Sequence, residues 1–168
     1  LNKIKDSFAA GKFPVFEAED GSVVIPMYGA GLWGPIWGYV ALEKDMTTIK
    51  GVVMDHQGET PGLGAEIASD AHQGLYVGKK IFVDNKLEGI KVKKNAAKDS
   101  LNEVDAISGG TKTCDGVTKM FESSLKYYEE YLNAKKTLTP QEIGAQEPEL
   151  VPTNQQVKGT AVVIQKNN

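Results

Sequence analysis

The 20 residues at positions 23–42 carry no charged side chain, and this run constrains the fold more than any other feature of the sequence. It is long enough to span a bilayer as a helix. It also contains two prolines and four glycines, however, and a helix through these residues would be costly. We therefore predict buried strands over residues 22–27 and 36–42, joined by a glycine loop that carries Trp33.

The flanking segments extend this pattern into an antiparallel meander. Residues 47–55 form a third strand after a short turn, and residues 13–18 suggest an edge strand because they contain Pro14. Short helices are expected over residues 2–10, 63–69 and 71–78, with strands over 80–84 and 89–93. The predicted fold class is α+β, with an antiparallel sheet and helices packed against it.

The hydrophobic period becomes helical after residue 111. Apolar residues and a serine fall on one helical face at Val117, Met120, Phe121, Ser124, Leu125, Tyr128, Tyr131 and Leu132. We predict one long helix over about residues 112–135. Residues 137–168 contain three prolines and many amides, which favours a polar tail with one short strand over 160–164. The domain is thus placed at residues 1–136 and the tail at 137–168.

Composition excludes several classes of function. The 19 basic and 22 acidic residues give a net charge of −3, which argues against a nucleic-acid-binding protein. A single cysteine, Cys114, rules out an internal disulfide, and two histidines leave little for a metal centre. His56 follows Asp55, but no serine or cysteine is placed to complete a hydrolytic triad. We therefore assign no metal ligand and no catalytic residue.

A glycine-rich segment precedes the long helix and is suited to bind phosphate. Its residues are Ser108, Gly109, Gly110, Thr111, Lys112 and Thr113. Unpaired backbone N–H groups, hydroxyls and a lysine at the start of a helix form a cradle for an anion. Helix capping alone is the alternative interpretation, since serine, threonine and glycine are common at helix starts.

Two other segments could meet a flat ligand. One of them has a glycine on either side of Leu63, the first being Gly62, and these glycines let the backbone approach such a ligand. Glu59 and Thr60 precede them in the sequence. The alternative there is a plain loop with a proline-started helix. The indole of Trp33 could stack on an aromatic cofactor, or it could belong to the core.

Four motifs occur in order along the chain. They are Tyr28-Gly-Ala-Gly-Leu-Trp, Gly38-Tyr-Val-Ala-Leu, Gly58-Glu-Thr-Pro-Gly-Leu-Gly-Ala-Glu-Ile and Asp105-Ala-Ile-Ser-Gly-Gly-Thr. Over about residues 20–135 this set resembles the covalent FMN-binding domain of the C subunit of the Na⁺-translocating NADH:quinone oxidoreductase. The G subunit of the Rnf-type ferredoxin:NAD⁺ complex shares the module. The resemblance implies the FMN-binding type of α+β fold.

The resemblance also implies that FMN is attached covalently. In that family the flavin phosphate is joined to the last threonine of a Ser/Thr-Gly-Ala-Thr motif, which is Thr111 here, by a dedicated flavin transferase that uses FAD. Gly110 replaces the usual alanine and Cys114 replaces a frequent serine, but neither change removes the hydroxyl. Thr113 is an alternative acceptor that the motif disfavours.

The same resemblance implies how the cofactor is held. The flavin ring would lie against Trp33 and Leu63, with Glu59, Thr60 and backbone groups on its polar edge. The phosphodiester would lie at the start of the long helix.

The resemblance further implies a place in a membrane complex. A membrane-spanning helix is expected before residue 1, with the domain on the periplasmic side of the bacterial inner membrane. The domain would relay electrons within the Na⁺-transporting NADH:ubiquinone reductase, beside its other subunits, without complete turnover of its own. The alternatives are the G subunit of an Rnf-type complex, a stand-alone periplasmic flavoprotein and a non-redox interaction module.

Overall fold

The computed structural model describes residues 2–138 and 159–165. Its elements, in chain order, are α1 (Asn2–Ala9), β1 (Lys12–Ala18), β2 (Val23–Ala30), β3 (Pro35–Leu42), β4 (Ile49–His56), a 3-10 helix (Gly64–Ala68), α2 (Asp70–Gly74), β5 (Phe82–Val83), β6 (Lys86–Leu87), β7 (Lys91–Lys93), β8 (Glu103–Asp105), α3 (Thr111–Lys126), α4 (Glu129–Leu138) and β9 (Gly159–Gln165). The main sheet has five antiparallel strands in the order β4-β3-β2-β1-β9. The predicted α+β class is confirmed.

The uncharged run forms two paired strands and the loop between them. Strands β2 and β3 pair from Val23 opposite Leu42 to Ala30 opposite Pro35. The inner face of β3 is buried at Ile36 and Val40, while Tyr39 lies on the outer, exposed face. The meander is therefore confirmed for these strands. Among the described residues, no helix is long and apolar enough to cross a membrane.

Helix α3 packs on the inner face of the sheet, against β2. The Ser124 hydroxyl accepts a hydrogen bond from the backbone N–H of Tyr28 at 3.1 Å and lies 3.3 Å from its carbonyl oxygen. Nearer the start of the helix, Gly116 faces the end of β2, where a β-carbon would collide with the carbonyl oxygen of Ala30. The helix thus begins beside the loop that follows β2.

The prediction that residues 13–18 form an edge strand is wrong. Strand β1 pairs with β2 on one side and with β9 on the other. The partner that covers this edge comes from more than a hundred residues further along the chain, so no local pattern reveals it. Pro14 is tolerated because the pairing with β2 involves only Phe16 and Glu17.

The single long helix predicted for residues 112–135 is also wrong, because the chain turns between α3 and α4 at Tyr127 and Tyr128. The side chains of both tyrosines contact β1. Tyr127 stacks on Phe13 at 4.2 Å between ring centroids, and the buried Tyr128 donates its hydroxyl hydrogen to the carbonyl oxygen of Pro14. These contacts with the sheet override a helical period that runs unbroken in the sequence.

The short elements between α2 and α3 depart from the predictions in detail. Strands β7 and β8 run parallel, and β5 pairs with β6, a pairing that the sequence pattern does not predict. The helix predicted near residues 63–69 is a 3-10 helix. The Thr118 hydroxyl, on α3, accepts a hydrogen bond from the N–H of Val92 at 2.9 Å and so fixes β7 against the helix.

The predicted polar tail is described only at residues 137–138, which end α4, and at β9. That strand spans the short strand expected over residues 160–164 and pairs with all of β1. The rest of the tail lies outside the described residues. The domain boundary at residue 136 stays a prediction.

The close approach of α3 to β2 can be tested with two glycine substitutions. Gly116→Ala is expected to lower the free energy of unfolding by about 1–3 kcal/mol through overpacking, although alanine in a helix interior is ordinarily more favourable than glycine. Gly51→Ala is the control, because a β-carbon there meets nothing within 4 Å. Urea denaturation of both variants measures the difference. A stabilised Gly116→Ala would contradict the close approach.

Candidate functional site

Three separate segments meet in one cleft of about 270 Å³. They are the loop after β2, the loop after β4 with the start of the 3-10 helix, and the first turn of α3 with the glycines before it. The residues that line the cleft are Leu32, Trp33, Glu59, Thr60, Leu63, Gly64, Gly109, Gly110, Thr111, Lys112 and Thr113. The three segments chosen from the sequence as candidate ligand-binding segments are therefore neighbours in space.

Most of the predicted site residues line the cleft, and the prediction and the structure differ at four residues. Gly62 and Ser108 were predicted but lie just outside the lining. Leu32 lines the cleft but was not predicted, and of the two glycines beside Leu63 it is Gly64, and not the predicted Gly62, that lines the cleft. Leu32 and Gly64 each adjoin a predicted residue in the sequence. The motif as a whole, and not the type of residue, could therefore have identified them.

Trp33 is not a core residue, which removes one of its two sequence interpretations. Its side chain is 69% exposed, and its neighbours in the cleft, Leu32 and Leu63, are 52% and 40% exposed. Large apolar side chains that are grouped around a cleft and left open to solvent are typical of a ligand-binding surface. An aromatic ring and a branched aliphatic chain are well suited to contact a flat, aromatic ligand.

The glycines before α3 allow a close approach to Leu63. Gly109 has φ of +77°, a conformation that disfavours any side chain. A β-carbon there would lie 2.6 Å from Cδ2 of Leu63, and one on Gly110 would lie 3.4 Å from the Leu63 carbonyl carbon. The backbone of this segment therefore borders the cleft directly, beside Leu63, and its two glycines add no side chain of their own.

The first turn of α3 presents backbone donors to the same cleft. The residue at its N-cap is Gly110, which has no side chain to accept a capping hydrogen bond, and its carbonyl oxygen accepts from the N–H of Cys114 at 3.0 Å. The amide groups of the first turn precede that bond and have no partner within the helix. Together with the helix dipole they favour an anion at this position.

The two threonines of the first turn have different environments. Thr111 is exposed at the cleft, whereas Thr113 is only 1% exposed. The Thr113 hydroxyl donates its hydrogen to Oε2 of Glu59. Of the two residues, Thr111 is thus exposed, and Thr113 is buried with its hydroxyl hydrogen-bonded.

Glu59 is a buried carboxylate with several donors around it. It is 4% exposed, and its Oε1 accepts a hydrogen bond from the backbone N–H of Trp33 at 2.8 Å. Burial raises the pKa of Glu59, but hydrogen bonds from Thr113, Trp33 and Leu32 and the nearby His56 outweigh that effect. The pKa of Glu59 is therefore held below its ordinary value, and the group is ionised at neutral pH.

Two other reactive residues near the cleft have structural partners. Nδ1 of His56 accepts a hydrogen bond from the backbone N–H of Glu59 at 3.1 Å. Cys114 is buried, and its burial raises the pKa of the thiol. Among the described residues, no group of three or more His, Cys, Asp or Glu side chains could hold a metal ion.

Comparison with known proteins decides the family. Residues 31–126, more than half of the chain, match the family model of the FMN-binding domain. The chain belongs to the FMN-binding domain family. The matched range contains all three segments that form the cleft of this FMN-binding domain.

The relatives of this FMN-binding domain are named as the C subunit of a Na(+)-translocating NADH-quinone reductase. It is 43% identical over 123 residues to the C subunit of the Na(+)-translocating NADH-quinone reductase of Chlamydia trachomatis, covering 64% of this chain and 39% of that protein. It is 43% identical over 106 residues to the C subunit of the same reductase of Haemophilus ducreyi, covering 63% and 40%. The chain thus spans about two fifths of the length of these curated relatives.

Solved structures show the same fold. The crystal structure of the C subunit of the Na(+)-translocating NADH-quinone reductase from Parabacteroides distasonis superposes with a TM-score of 0.72 at 39% identity, covering 77% of this chain and 67% of that one. NqrC from Shewanella oneidensis superposes with a TM-score of 0.61 at 28% identity, covering 80% and 89%.

The residues of the cleft fit the flavin that gives the family its name. The exposed Trp33 and Leu63 offer apolar surfaces for a flat ring, and the start of α3 offers donors for a phosphate. The volume of about 270 Å³ lies near the lower end of ligand pockets, about 300–1,000 Å³.

The ionised state of Glu59 predicts how stability depends on pH. A carboxyl group whose pKa is lowered by folding contributes stability that is present above its unfolded pKa and is lost as the pH falls through its folded pKa. Glu59→Gln is therefore expected to lower the free energy of unfolding by about 1–3 kcal/mol at pH 7, with a smaller loss below the ordinary glutamate pKa of 4.5.

Denaturant titrations between pH 3 and pH 7, a range set on either side of that pKa, measure this difference. Glu122→Gln is the control, because it removes a charge from an exposed position on α3. A difference between wild type and Glu59→Gln that does not change with pH would contradict an ionised Glu59.

Proposed function

We propose that this chain is the flavin-carrying domain of the C subunit of a Na⁺-translocating NADH:quinone reductase, and that its FMN is joined through the phosphate to the hydroxyl of Thr111. The observation that carries the proposal is the exposed residue Thr111, which carries a hydroxyl and lies at the start of α3, in the cleft of an FMN-binding domain. The buried, hydrogen-bonded Thr113 supports the choice between the two threonines.

The proposed attachment is a phosphoryl transfer from FAD, carried out by a separate flavin transferase. The Thr111 oxygen forms a bond to the phosphorus of the FMN half, the bond to the AMP half breaks, and the hydroxyl proton is released. The products are the threonine phosphodiester and AMP. The reaction changes no oxidation state, so it needs no further reactant.

The residues of this chain would hold and orient the cofactor. A phosphodiester on Thr111 keeps one negative charge, which the first-turn N–H groups and the dipole of α3 would stabilise. Gly109 and Gly110 leave room for the phosphate, and Trp33 and Leu63 would flank the ring. When bound, FMN supplies reversible electron transfer, and the protein positions the ring and tunes its potential.

The proposed role in the complex is electron relay. The domain would lie on the periplasmic side of the inner membrane, beside the other subunits, and a membrane-spanning helix that precedes residue 1 would hold it there. A covalent link keeps the flavin next to its redox partners at any concentration of free FMN. The isolated domain would carry electrons without completing the NADH:quinone reaction.

Substitution of Thr111 tests the attachment site. After periplasmic co-expression with a flavin transferase, the wild type is expected to gain the mass of one FMN less one water, with flavin fluorescence that survives denaturation. Thr111→Val should lose both signals completely and keep its fold, because its side chain is exposed. Thr111→Ser is the matched control, since it keeps a hydroxyl and should retain attachment.

Intact mass, in-gel fluorescence and circular dichroism provide the measurements, with a known acceptor protein as control for transferase activity. Flavin retained in Thr111→Val would move the attachment site elsewhere. An unmodified wild type beside a modified control protein would overturn the proposal.

Removal of the indole tests the proposed ring contact. Trp33→Ala is expected to weaken the binding of free FMN by about two- to tenfold, because an aromatic pair contributes about 0.5–1.5 kcal/mol beyond its buried area. Trp37→Phe is the control, because Trp37 lies in β3 opposite Asp55 and does not line the cleft. Fluorescence anisotropy of FMN measures both affinities, and equal affinities in wild type and Trp33→Ala would contradict the contact.

A further inference from the structure

The carboxylate of Glu59 joins three segments that are far apart in sequence. It projects from the loop after β4, accepts the N–H of Trp33 in the loop after β2, and accepts the hydroxyl hydrogen of Thr113 in α3. The separations are 26 and 54 residues along the chain. One side chain therefore connects all the walls of the cleft.

Two glycines make room for this carboxylate. A β-carbon on Gly31 would lie 2.5 Å from Oε1 of Glu59, and one on Gly64 would lie 2.6 Å from Oε2. Neither glycine has a positive φ, so another residue could adopt the same backbone conformation. Glycine is therefore needed at these two positions for close packing around Glu59 and not for an unusual backbone conformation.

The position of Trp33 depends on its backbone. The side chain is 69% exposed, so packing around the indole contributes little to holding it. Its loop is closed by a hydrogen bond from the N–H of Gly31 to the carbonyl oxygen of Gly34 at 2.8 Å, and its N–H is bound by Glu59. The hydrogen-bonded connection between the Trp33 N–H and α3 passes through that carboxylate.

We propose that Glu59 is a positioning residue, which fixes the Trp33 loop against the start of α3 so that the indole is held in place for the flavin ring before any flavin binds. This inference rests on the proposed function for its purpose, but the positioning itself is a property of the flavin-free protein. Glu59 lines the cleft, but in this role it acts through the backbone of Trp33 and not by its own contact with the ring.

Order parameters from ¹⁵N relaxation test the positioning without flavin. In the wild type the backbone N–H of Trp33 is expected to be rigid, with an order parameter near 0.85, and in Glu59→Ala it should fall below about 0.6. Glu59→Gln keeps one acceptor oxygen and should give an intermediate value. Thr111→Val is the matched control, because it changes the cleft without touching the carboxylate and should leave the Trp33 value unchanged.

The hydrogen bond between Glu59 and Thr113 of α3 is tested separately, by measuring the affinity for free FMN. Thr113→Val removes the hydroxyl that binds Oε2 and is expected to weaken FMN binding about tenfold, the equivalent of one hydrogen bond to a charged group. Thr113→Ser restores the hydroxyl and should restore the affinity. Because serine and valine variants differ in that donor, a general loss of packing would not produce this contrast.

The outcomes separate the two proposals. Two results together overturn the positioning role and leave the proposed function intact. The first is a Trp33 N–H that stays rigid in Glu59→Ala, or in Glu59→Gln should the alanine variant not fold. The second is equal FMN affinity in the valine and serine variants of Thr113. A loss of rigidity in Glu59→Ala, in a chain whose wild type takes up no flavin from an active transferase, supports the positioning of Trp33 and overturns the proposed function.

Discussion

The close packing of α3 on β2 is the contact on which the remainder of the structure depends. Gly116 lets the helix meet the backbone at the end of β2, and Ser124 exchanges hydrogen bonds with the backbone of Tyr28 further along. The first turn of α3 consequently lies beside the loop that carries Trp33. Without this approach, the donors at the helix start and the aromatic ring would belong to different surfaces of the molecule.

A buried charge completes the arrangement that the packing allows. Glu59 is taken out of water, which is unfavourable for a carboxylate, and donors from Thr113 and from the backbone of Trp33 and Leu32 compensate for the lost hydration. The same bonds connect the walls of the cleft. Stability and the geometry of the candidate site are thus coupled through one side chain, while Thr111 stays exposed beside it.

Local patterns predicted those parts of the fold that local forces dominate. The alternation of apolar residues around Ile36 and Val40 and the glycines between neighbouring strands were sufficient to place the meander, since antiparallel neighbours need only short turns. The turn at Tyr127 and Tyr128 was missed, because its cause is contact with β1. The raised pKa of Cys114 likewise cannot be predicted from a local pattern, since burial is a property of the folded chain.

The sequence by itself determined the meander, the three glycine-containing segments and the family to which they belong, because each depends on residues close together in the chain. Only the tertiary structure decided that β9 would cover the edge of β1, that Trp33 would be exposed, and that Glu59 would turn inward to bind Thr113. These features depend on partners tens of residues away, and their energies arise only when the chain has brought those partners together.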